Sequence, residues 1–378
     1  MIREAIDKLQ IKIAEEIISK YSISSLNEAS VAELRKNIIG FVKGVNDINV
    51  LSDIQTILAK EEFVEKITSI LEQKGAPAIK DSFIKEFFSV SGGTLEEKRE
   101  FLESIENGGI IDKNKFFRKT PSELSSMFLV QNSFIKRISN KLFSWIPKGL
   151  SKTGVGAGEA LFMLYIDGAE KPLGTSEDAG DLVVDGVKYE VKSVSSKTGS
   201  GGARLSGASG YGSFSGYYKT FIKELDKKVG EANRRMVEAN TGSKENTFNF
   251  NRNGLKNLSS LFTKETNKDL QELVLNAYMY VFPKYSKSNF KKLISTIKDG
   301  NIDFEEFKKE NIRIQFDYYK KLDDWKGIVF LNESGKNIVY VENSDELVSL
   351  YENGNMNIGA SLSWKEPRNF VYQYGLKG

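Results

Sequence analysis

The feature that most constrains this chain is the segment at residues 181–193, which reads DLVVDGVKYEVKS. Two runs rich in β-branched residues flank Asp185 and Gly186. An Asp-Gly pair in this setting is a strong signal for a two-residue hairpin, because a type I′ turn needs positive φ at both central residues. A turn at these positions pairs Leu182 with Tyr189. The sequence therefore predicts a tight antiparallel hairpin.

Charged side chains converge on one side of this predicted hairpin. The same register places Asp181 opposite Glu190, and Lys192 shares a face with Glu190 because side chains alternate with period two along a strand. Directly opposed like charges destabilise a sheet, and a divalent cation between the carboxylates would remove that cost. Lys188 has the same parity, so a surface hairpin with one solvated polar face is the competing interpretation.

The chain contains no cysteine and no histidine. Disulfides, thiolate zinc sites, cysteine nucleophiles and Ser-His-Asp triads are therefore excluded. Acid–base chemistry has to come from Asp, Glu, Lys, Tyr or a metal-activated water, and any metal must have oxygen ligands, which favours Mg²⁺, Mn²⁺ or Ca²⁺. The net charge is only +3, so a nucleic-acid site must be a local patch.

The rest of the sequence predicts two domains. Residues 1–147 carry apolar side chains at helical spacing, which is typical of a helical domain. Residues 148–378 contain the hairpin, a helical and polar insertion at about 241–310, and short β-type runs that begin with 312–319. No apolar run is long enough to span a membrane, and the first residues lack the basic-then-apolar pattern of a secretory signal.

The order of these elements resembles the core of the PD-(D/E)xK nuclease superfamily, the restriction-endonuclease-like fold. Glu159 opens a predicted helix, Asp181 precedes the hairpin turn, and Glu190 and Lys192 form the E-x-K element after it. The resemblance covers residues 155–240. It implies an α/β fold in which a mixed sheet of this kind is joined to an N-terminal helical domain and to additional C-terminal strands.

The resemblance also implies roles for these residues. Asp181 and Glu190 would ligate Mg²⁺ or Mn²⁺, with Glu159 supporting the metal shell. Lys192 would orient or activate the attacking water. Phosphodiester hydrolysis needs a metal to stabilise transition-state charge and a cation or base beside the nucleophile. The proline of the family motif is absent because Gly180 precedes Asp181, which weakens the match and leaves the chemistry intact.

Candidate DNA contacts follow the hairpin. A glycine-rich loop at residues 198–216 allows close approach of the backbone to a phosphate, and its Gly-Gly-Ala-Arg-Leu run is similar to loops in phage-encoded members of the superfamily. A helix predicted at 217–240 offers cations that neutralise phosphate charge. A flexible loop and an ordinary solvated helix face are the competing interpretations. The candidate nucleic-acid-binding residues are Arg204, Lys188, Lys197, Lys223 and Lys227.

Two uses of such a core stay open. One is a free DNA endonuclease in the cytoplasm of a host cell, expected to form a homodimer because many nucleases of this fold cut both strands as dimers. The other is a phage virion or packaging protein that retains the fold to bind DNA or a partner protein. Two further motifs fail: residues 154–158 lack nucleotide-binding spacing, and the turn at 299–307 puts Ile297 where a calcium loop needs a ligand.

Overall fold

The molecule, seen in a computed structural model, is a mixed α/β protein that divides into two compact units. One unit consists of Met1–Asn107 and Val130–Arg137, and the other of Gly108–Leu129 and Ile138–Gly378. No helix among the described residues is both long and apolar enough to cross a membrane. The structure describes residues 2–20, 28–45, 47–90, 93–138, 142–145, 157–170, 182–195, 203–205, 211–212, 214–240, 248, 250–332, 337–359 and 372–377.

The first unit is built from helices. Apolar side chains at helical spacing turn inward, and Phe87, Phe101 and Phe134 pack together with ring centroids 5.4–6.3 Å apart. The helices predicted from this spacing are confirmed for the described residues of this unit. Their bounds are α1 (Ile2–Lys20), α2 (Glu28–Gly44), α3 (Ile48–Gln73), α4 (Lys80–Ser89) and α5 (Leu95–Glu106), with a 3₁₀ helix at Pro77–Ile79.

The helices of the second unit surround an aromatic and aliphatic core. α7 (Ser133–Ile138) belongs to the first unit except for its last residue. The others are α6 (Lys113–Phe116), α8 (Ala157–Tyr165), α9 (Phe214–Val229), α10 (Glu231–Asn240), α11 (Arg252–Ser259), α12 (Asn267–Val281), α13 (Lys291–Ser295), α14 (Phe304–Asp323) and α15 (Ser344–Glu352), with 3₁₀ helices at Leu124–Met127, Leu142–Trp145 and Lys287–Phe290.

A six-stranded sheet runs through the second unit, in the order β1-β9-β8-β4-β3-β2 within the described residues. Its strands are β1 (Ser122–Glu123), β2 (Ala169–Glu170), β3 (Leu182–Val184), β4 (Val187–Val194), β8 (Ile328–Asn332) and β9 (Asn337–Val341). A three-stranded sheet has the order β10-β11-β5, and β6 pairs with β7. These strands are β5 (Ala203–Arg204), β6 (Ile297–Lys298), β7 (Asn301–Ile302), β10 (Met356–Gly359) and β11 (Gln373–Leu376).

The predicted hairpin is confirmed with its register. Leu182 pairs with Tyr189, and the turn residues Asp185 and Gly186 have φ values of +50° and +76°. This is the positive-φ pair that a type I′ turn requires. The ammonium of Lys113 holds the turn by donating to the Asp185 carboxylate at 2.8 Å. On its other side β4 pairs in parallel with β8, so β4 is an interior strand.

One strand prediction is wrong. Residues 312–319 alternate apolar and polar side chains, yet they form part of α14, which is capped by the Asp303 side chain accepting from the Glu306 amide at 3.2 Å. Six of the eight residues in this stretch are buried, because the helix packs against the core. Periodicity alone does not separate such a helix from a strand. Later β-type runs in the same part of the chain do form strands, β8 and β9.

Candidate functional site

Glu190 and Lys192 lie on one face of β4, as the period-two argument predicts, and their side chains form an ion pair. The strand is fixed on both edges, by β3 in antiparallel register and by β8 in parallel register. The Glu190 amide donates to the Gly327 carbonyl at 3.0 Å as this ladder begins. The sheet therefore holds the two side chains in a defined position.

The Glu190 carboxylate is buried, with 3% of the residue exposed. Its Oε1 atom takes both the ion pair with Lys192 and a 2.7 Å hydrogen bond donated by the Tyr319 hydroxyl. Among the described residues nothing hydrogen-bonds to the other oxygen, Oε2. Burying a charge is costly unless the charge is paired and hydrogen-bonded, and this carboxylate has both kinds of partner.

Tyr319 is the member of this cluster that sequence reasoning missed. It lies on α14, 129 residues after Glu190, and only 4% of it is exposed. Burial raises the pKa of Tyr319 far above its usual value; the negative charge of Glu190 adds to this rise, while the Lys192 ammonium opposes it. The hydroxyl thus stays protonated and remains a donor. The only signal in the sequence was chemical, since a buried carboxylate needs a donor from some other element.

The structure describes only one of the two other predicted metal ligands. Glu159 lies in the first turn of α8 and is half-buried, and α8 packs against β3 and β4. Asp181 lies outside the described residues, so its place opposite Glu190 stays a prediction from the hairpin register. Within the residues that the structure describes, no three acidic side chains come close enough together to hold a metal ion.

The donor chemistry nevertheless fits a magnesium site. Mg²⁺ keeps several waters and is usually bound through one or two carboxylates together with substrate phosphates. Glu190 presents Oε2 without a protein partner among the described residues. Asp181, one residue before β3, would supply the second carboxylate by continuation of the register that pairs Leu182 with Tyr189. With Asp181 in that predicted place, the two carboxylates would satisfy this requirement.

The candidate DNA-binding residues fall in three settings. Arg204 was predicted in the glycine-rich loop at residues 198–216, but it lies on β5, paired with Gln373 of β11, and is half-buried. Lys188 is exposed on β4. Lys197 lies outside the described residues. Lys223 and Lys227 are exposed on α9, on the face opposite the buried side chains of that helix, which are Tyr217, Phe221 and Leu225.

Within the described residues, the acidic residues of α9 form no ion pair with its lysines. Asp226 binds Arg234 on the following helix, and Glu224 accepts hydrogen bonds from Tyr217 at 3.0 Å and from Asn276 at 3.3 Å. Within the described chain, Lys219, Lys223 and Lys227 take part in no ion pair. The three lysines recur every four residues, which on a helix makes one row with a rise of about 6 Å per step. Sequence reasoning missed the first of them, Lys219.

A groove of about 570 Å³ lies elsewhere in the second unit. It is bordered by α13, by the β6–β7 hairpin and by the first turns of α14, and its lining carries charges of both signs. Its member nearest to Tyr319 in sequence, Glu310, precedes that residue by nine positions, about 14 Å along the helix axis. The groove is therefore separate from the Glu190 cluster. Its lining residues are Lys292, Ser295, Thr296, Lys298, Asn301, Asp303, Glu306 and Glu310.

No protein-family model, no curated protein and no solved structure matches this chain, so its function has to be inferred from the geometry above.

Proposed function

We propose that the protein is a divalent-metal-dependent DNA endonuclease whose site is centred on Glu190 and Lys192. The observation that carries the proposal is the ion pair between the buried Glu190 and the half-buried Lys192 on an interior strand. Charged groups are rarely placed in such surroundings, and clusters of this kind concentrate at functional sites. In the PD-(D/E)xK resemblance these two residues are the acid and the lysine of the E-x-K element.

The order of elements supports a restriction-endonuclease-like core. α8 carries Glu159, the β3–β4 hairpin follows after the short strand β2, and α9 follows after the short strand β5, so the helix–hairpin–helix order of the resemblance is kept. β4 is antiparallel to β3 and parallel to β8, so the sheet is mixed. β8 and β9, from the C-terminal part of the chain, extend the same sheet.

The residues divide the chemistry among them. Glu190 and Asp181 would hold Mg²⁺ or Mn²⁺, and Glu159 would support the metal through water. When bound, such a metal stabilises charge on the phosphate and makes a bound water more acidic. Lys192 would position the attacking water. To do so, its ammonium has to direct at least one N–H donor to the water and not to Glu190. Because the chain has no histidine and Lys192 acts as a protonated ammonium, the proton of the attacking water passes to solvent or to a substrate phosphate.

DNA binding is assigned to cations around this cluster. Arg204 would steady a phosphate near the cleaved bond, and Lys188 and Lys197 would contact the flanking backbone. The α9 lysines, Lys223 and Lys227, would add affinity that is independent of sequence, because contacts to phosphates carry no base information. A homodimer would allow both strands to be cut. The enzyme would act in the cytoplasm of a host cell.

A second candidate function is favoured by one observation. Glu190 already has a cationic and a hydroxyl partner, so the cluster is neutral and hydrogen-bonded without an ion. A phage virion or DNA-packaging protein that retained the fold for binding DNA or a partner protein would need nothing more from these residues. Such a protein would bind DNA and never cut it.

Plasmid cleavage separates the two. The purified chain is incubated with supercoiled plasmid in Mg²⁺, in Mn²⁺ and in EDTA, and DNA binding is measured in parallel. The endonuclease proposal expects nicked or linear DNA only with metal, and loss of cutting with retained binding in Glu190→Gln. Metal-independent cutting, or binding with no cutting in either metal, would contradict the proposal, and the second outcome would support the structural protein.

A further inference from the structure

Tyr319 contacts both members of the candidate pair. Its hydroxyl donates to Glu190 Oε1 at 2.7 Å, and its ring lies beneath the Lys192 ammonium, 5.5 Å from the ring centroid. Both the hydroxyl–carboxylate contact and the ring are buried. A hydrogen bond to a buried carboxylate is charge-assisted, and an ammonium is attracted to the face of an aromatic ring. One side chain therefore restrains the acid and the lysine together.

Tyr319 is itself held rigidly. Its ring packs against Trp325 with centroids 5.5 Å apart. Between these two residues α14 ends at Asp323, and the next residue, Asp324, adopts a left-handed conformation with φ of +49°. The chain then enters β8, which pairs with β4 so that Ile328 lies beside Glu190. The helix end, the turn and the strand thus fix the Tyr319 hydroxyl relative to the carboxylate that it contacts.

We propose that Tyr319 is a positioning residue that determines which oxygen of Glu190 is available to the metal. The inference rests on the proposed function and deepens it. Oε1 receives the hydroxyl and the ammonium, so Oε2 is the oxygen left for an ion. Rotation of the carboxylate would break a buried hydrogen bond, which keeps Oε2 in place. Metal-ligating carboxylates are typically oriented by such hydrogen bonds.

The lysine makes this orientation necessary. An ammonium next to a carboxylate can engage both of its oxygens, and it would then compete with a divalent cation for the same ligand. The Tyr319 hydroxyl opposes that competition because it shares Oε1 with Lys192 and holds the carboxylate at one angle. Removal of the hydroxyl leaves Glu190 free to turn toward Lys192. The expected consequence is weaker metal binding.

The test uses Tyr319→Phe in the full chain, which deletes the donor and keeps the ring that packs on Trp325. Mn²⁺ binding is measured calorimetrically without DNA, and plasmid cleavage is followed as a function of Mg²⁺ concentration. We expect the Mn²⁺ dissociation constant to rise by about 10- to 100-fold, the usual effect of losing such a partner. The Mg²⁺ concentration for half-maximal cleavage should rise in parallel. The melting temperature should fall modestly, because one buried hydrogen bond to Glu190 is lost.

Tyr340→Phe is the matched control. Tyr340 is buried on β9, and its hydroxyl has no hydrogen-bond partner among the described residues. Its removal should leave Mn²⁺ binding unchanged. A second measurement separates positioning from general loosening of the fold. In a Lys192→Met background, where no ammonium competes for Glu190, Tyr319→Phe should weaken Mn²⁺ binding by a much smaller factor.

The outcomes distinguish this inference from the proposed function. A wild-type chain that neither binds Mn²⁺ nor cuts DNA overturns both. A wild-type chain that binds and cuts, with Tyr319→Phe binding Mn²⁺ equally well, overturns the positioning role alone. An equal loss of affinity in the wild-type and Lys192→Met backgrounds also overturns it, because the effect would not then depend on the lysine.

Discussion

The lysines of β4 and of α9 carry the same charge in opposite surroundings. Lys192 lies beside a buried carboxylate and over an aromatic ring, with 23% of its side chain exposed. Lys219, Lys223 and Lys227 project from α9 into solvent, and within the described residues they form no ion pair. A lysine held in a buried cluster is suited to fix geometry at a reacting group. Solvated lysines in a row are suited to attract phosphates from a distance.

The neighbours of each lysine create this difference. On β4 the sheet register brings an acid and a lysine to one face, and α14 covers them with Tyr319. On α9 the acids turn to other partners, since Asp226 binds Arg234. The role of a lysine therefore depends less on its position along the chain than on the partners that the tertiary structure brings to it. The expected consequence is that the two groups can be separated experimentally, one affecting cleavage and the other affecting affinity.

The largest expected effect is the loss of DNA cleavage in the Lys192→Met variant. The variant removes the group that positions the attacking water, so the cleavage rate with saturating DNA should fall by at least about 100-fold. DNA affinity should change little, because Lys192 is mostly covered and offers little charge to a distant phosphate. Rates are measured by plasmid nicking with Mg²⁺, and affinities by fluorescence anisotropy on a labelled duplex.

Lys326→Met is the control for that experiment. Lys326 is exposed at the start of the turn into β8, and its amide donates to the Lys188 carbonyl at 2.9 Å, a contact that the substitution keeps. Its rate should equal that of the wild type. If Lys192→Met lost affinity and kept its rate, the contrast between the two groups of lysines would be reversed.

The second effect is on DNA affinity and its salt dependence. Lys219→Gln, Lys223→Gln and Lys227→Gln are combined in one variant. Each phosphate contact contributes about 0.9 to the slope of log K against log salt, so the slope should decrease by about 2 to 3. The affinity should fall by about 10-fold or more at physiological salt, whereas the rate at saturating DNA should stay within about twofold.

Three lysines on other helices provide the control, Lys268→Gln, Lys287→Gln and Lys291→Gln. They are exposed, and the total charge removed is the same. If both triple variants lose affinity equally, net charge alone governs binding and the α9 row has no special role. An unchanged salt slope in the α9 variant would show that phosphates do not contact this helix.

The two sides of the candidate site, the β4 strand and the Tyr319 side chain that covers it, also differ in how well the sequence predicted them. The β4 side of the site was predictable because its signals are local: Asp185 and Gly186 fix the turn, and period two fixes the shared face of Glu190 and Lys192. Tyr319 was not, since it comes from a helix whose sequence alternates like a strand. The buried carboxylate of Glu190 requires a hydrogen-bond donor, but only the folded structure shows which residue supplies it.

Non-local pairing limited the other predictions in the same way. Arg204 follows glycines that indicate a loop, yet it pairs with Gln373, far along the chain, and so lies in a strand. The acids of α9 likewise find partners on other helices, because Asp226 binds Arg234 and Glu224 accepts a hydrogen bond from Asn276. Such partners are invisible to any local pattern.

A third test perturbs the hairpin and leaves α9 untouched. Gly186 has φ of +76°, and an added Cβ would meet open space, so Gly186→Val introduces backbone strain without a clash. The expected cost is about 1–3 kcal/mol of unfolding free energy. Cleavage should fall because the turn sets the register of Glu190 and Lys192, while the salt slope of binding stays at the wild-type value. Denaturant unfolding and anisotropy titrations check both expectations.

Gly230→Val is the control for that substitution. Gly230 has φ of +82° between α9 and α10, and it too faces open space. The cost in stability should be similar, and cleavage at saturating DNA should be preserved. If both variants lost cleavage in proportion to their stability, the hairpin register would not be what limits the reaction.

The smallest expected effect is on the pH dependence of stability, and it concerns Lys308. The surroundings of this lysine are intermediate between those of Lys192 and those of the α9 lysines. The Lys308 ammonium donates to the Ile358 carbonyl at 3.0 Å and lies 4.3 Å from the centroid of the Tyr351 ring. Burial lowers the pKa of Lys308, and the Arg252 guanidinium acts in the same direction while Glu305 opposes it. The folded chain therefore holds this proton less tightly than the unfolded chain does.

Below the lowered folded pKa the full cost of burying the charge is present, and this cost disappears as the pH rises toward the unfolded value of about 10.4. The wild type should accordingly gain stability relative to Lys308→Met as the pH is raised through that window. The check is the difference between their urea unfolding free energies at several alkaline pH values, since the difference cancels the other titrating groups. If the stability difference between the wild type and Lys308→Met stays constant with pH, Lys308 is solvated like the lysines of α9. The chain would then contain two kinds of lysine environment and not three.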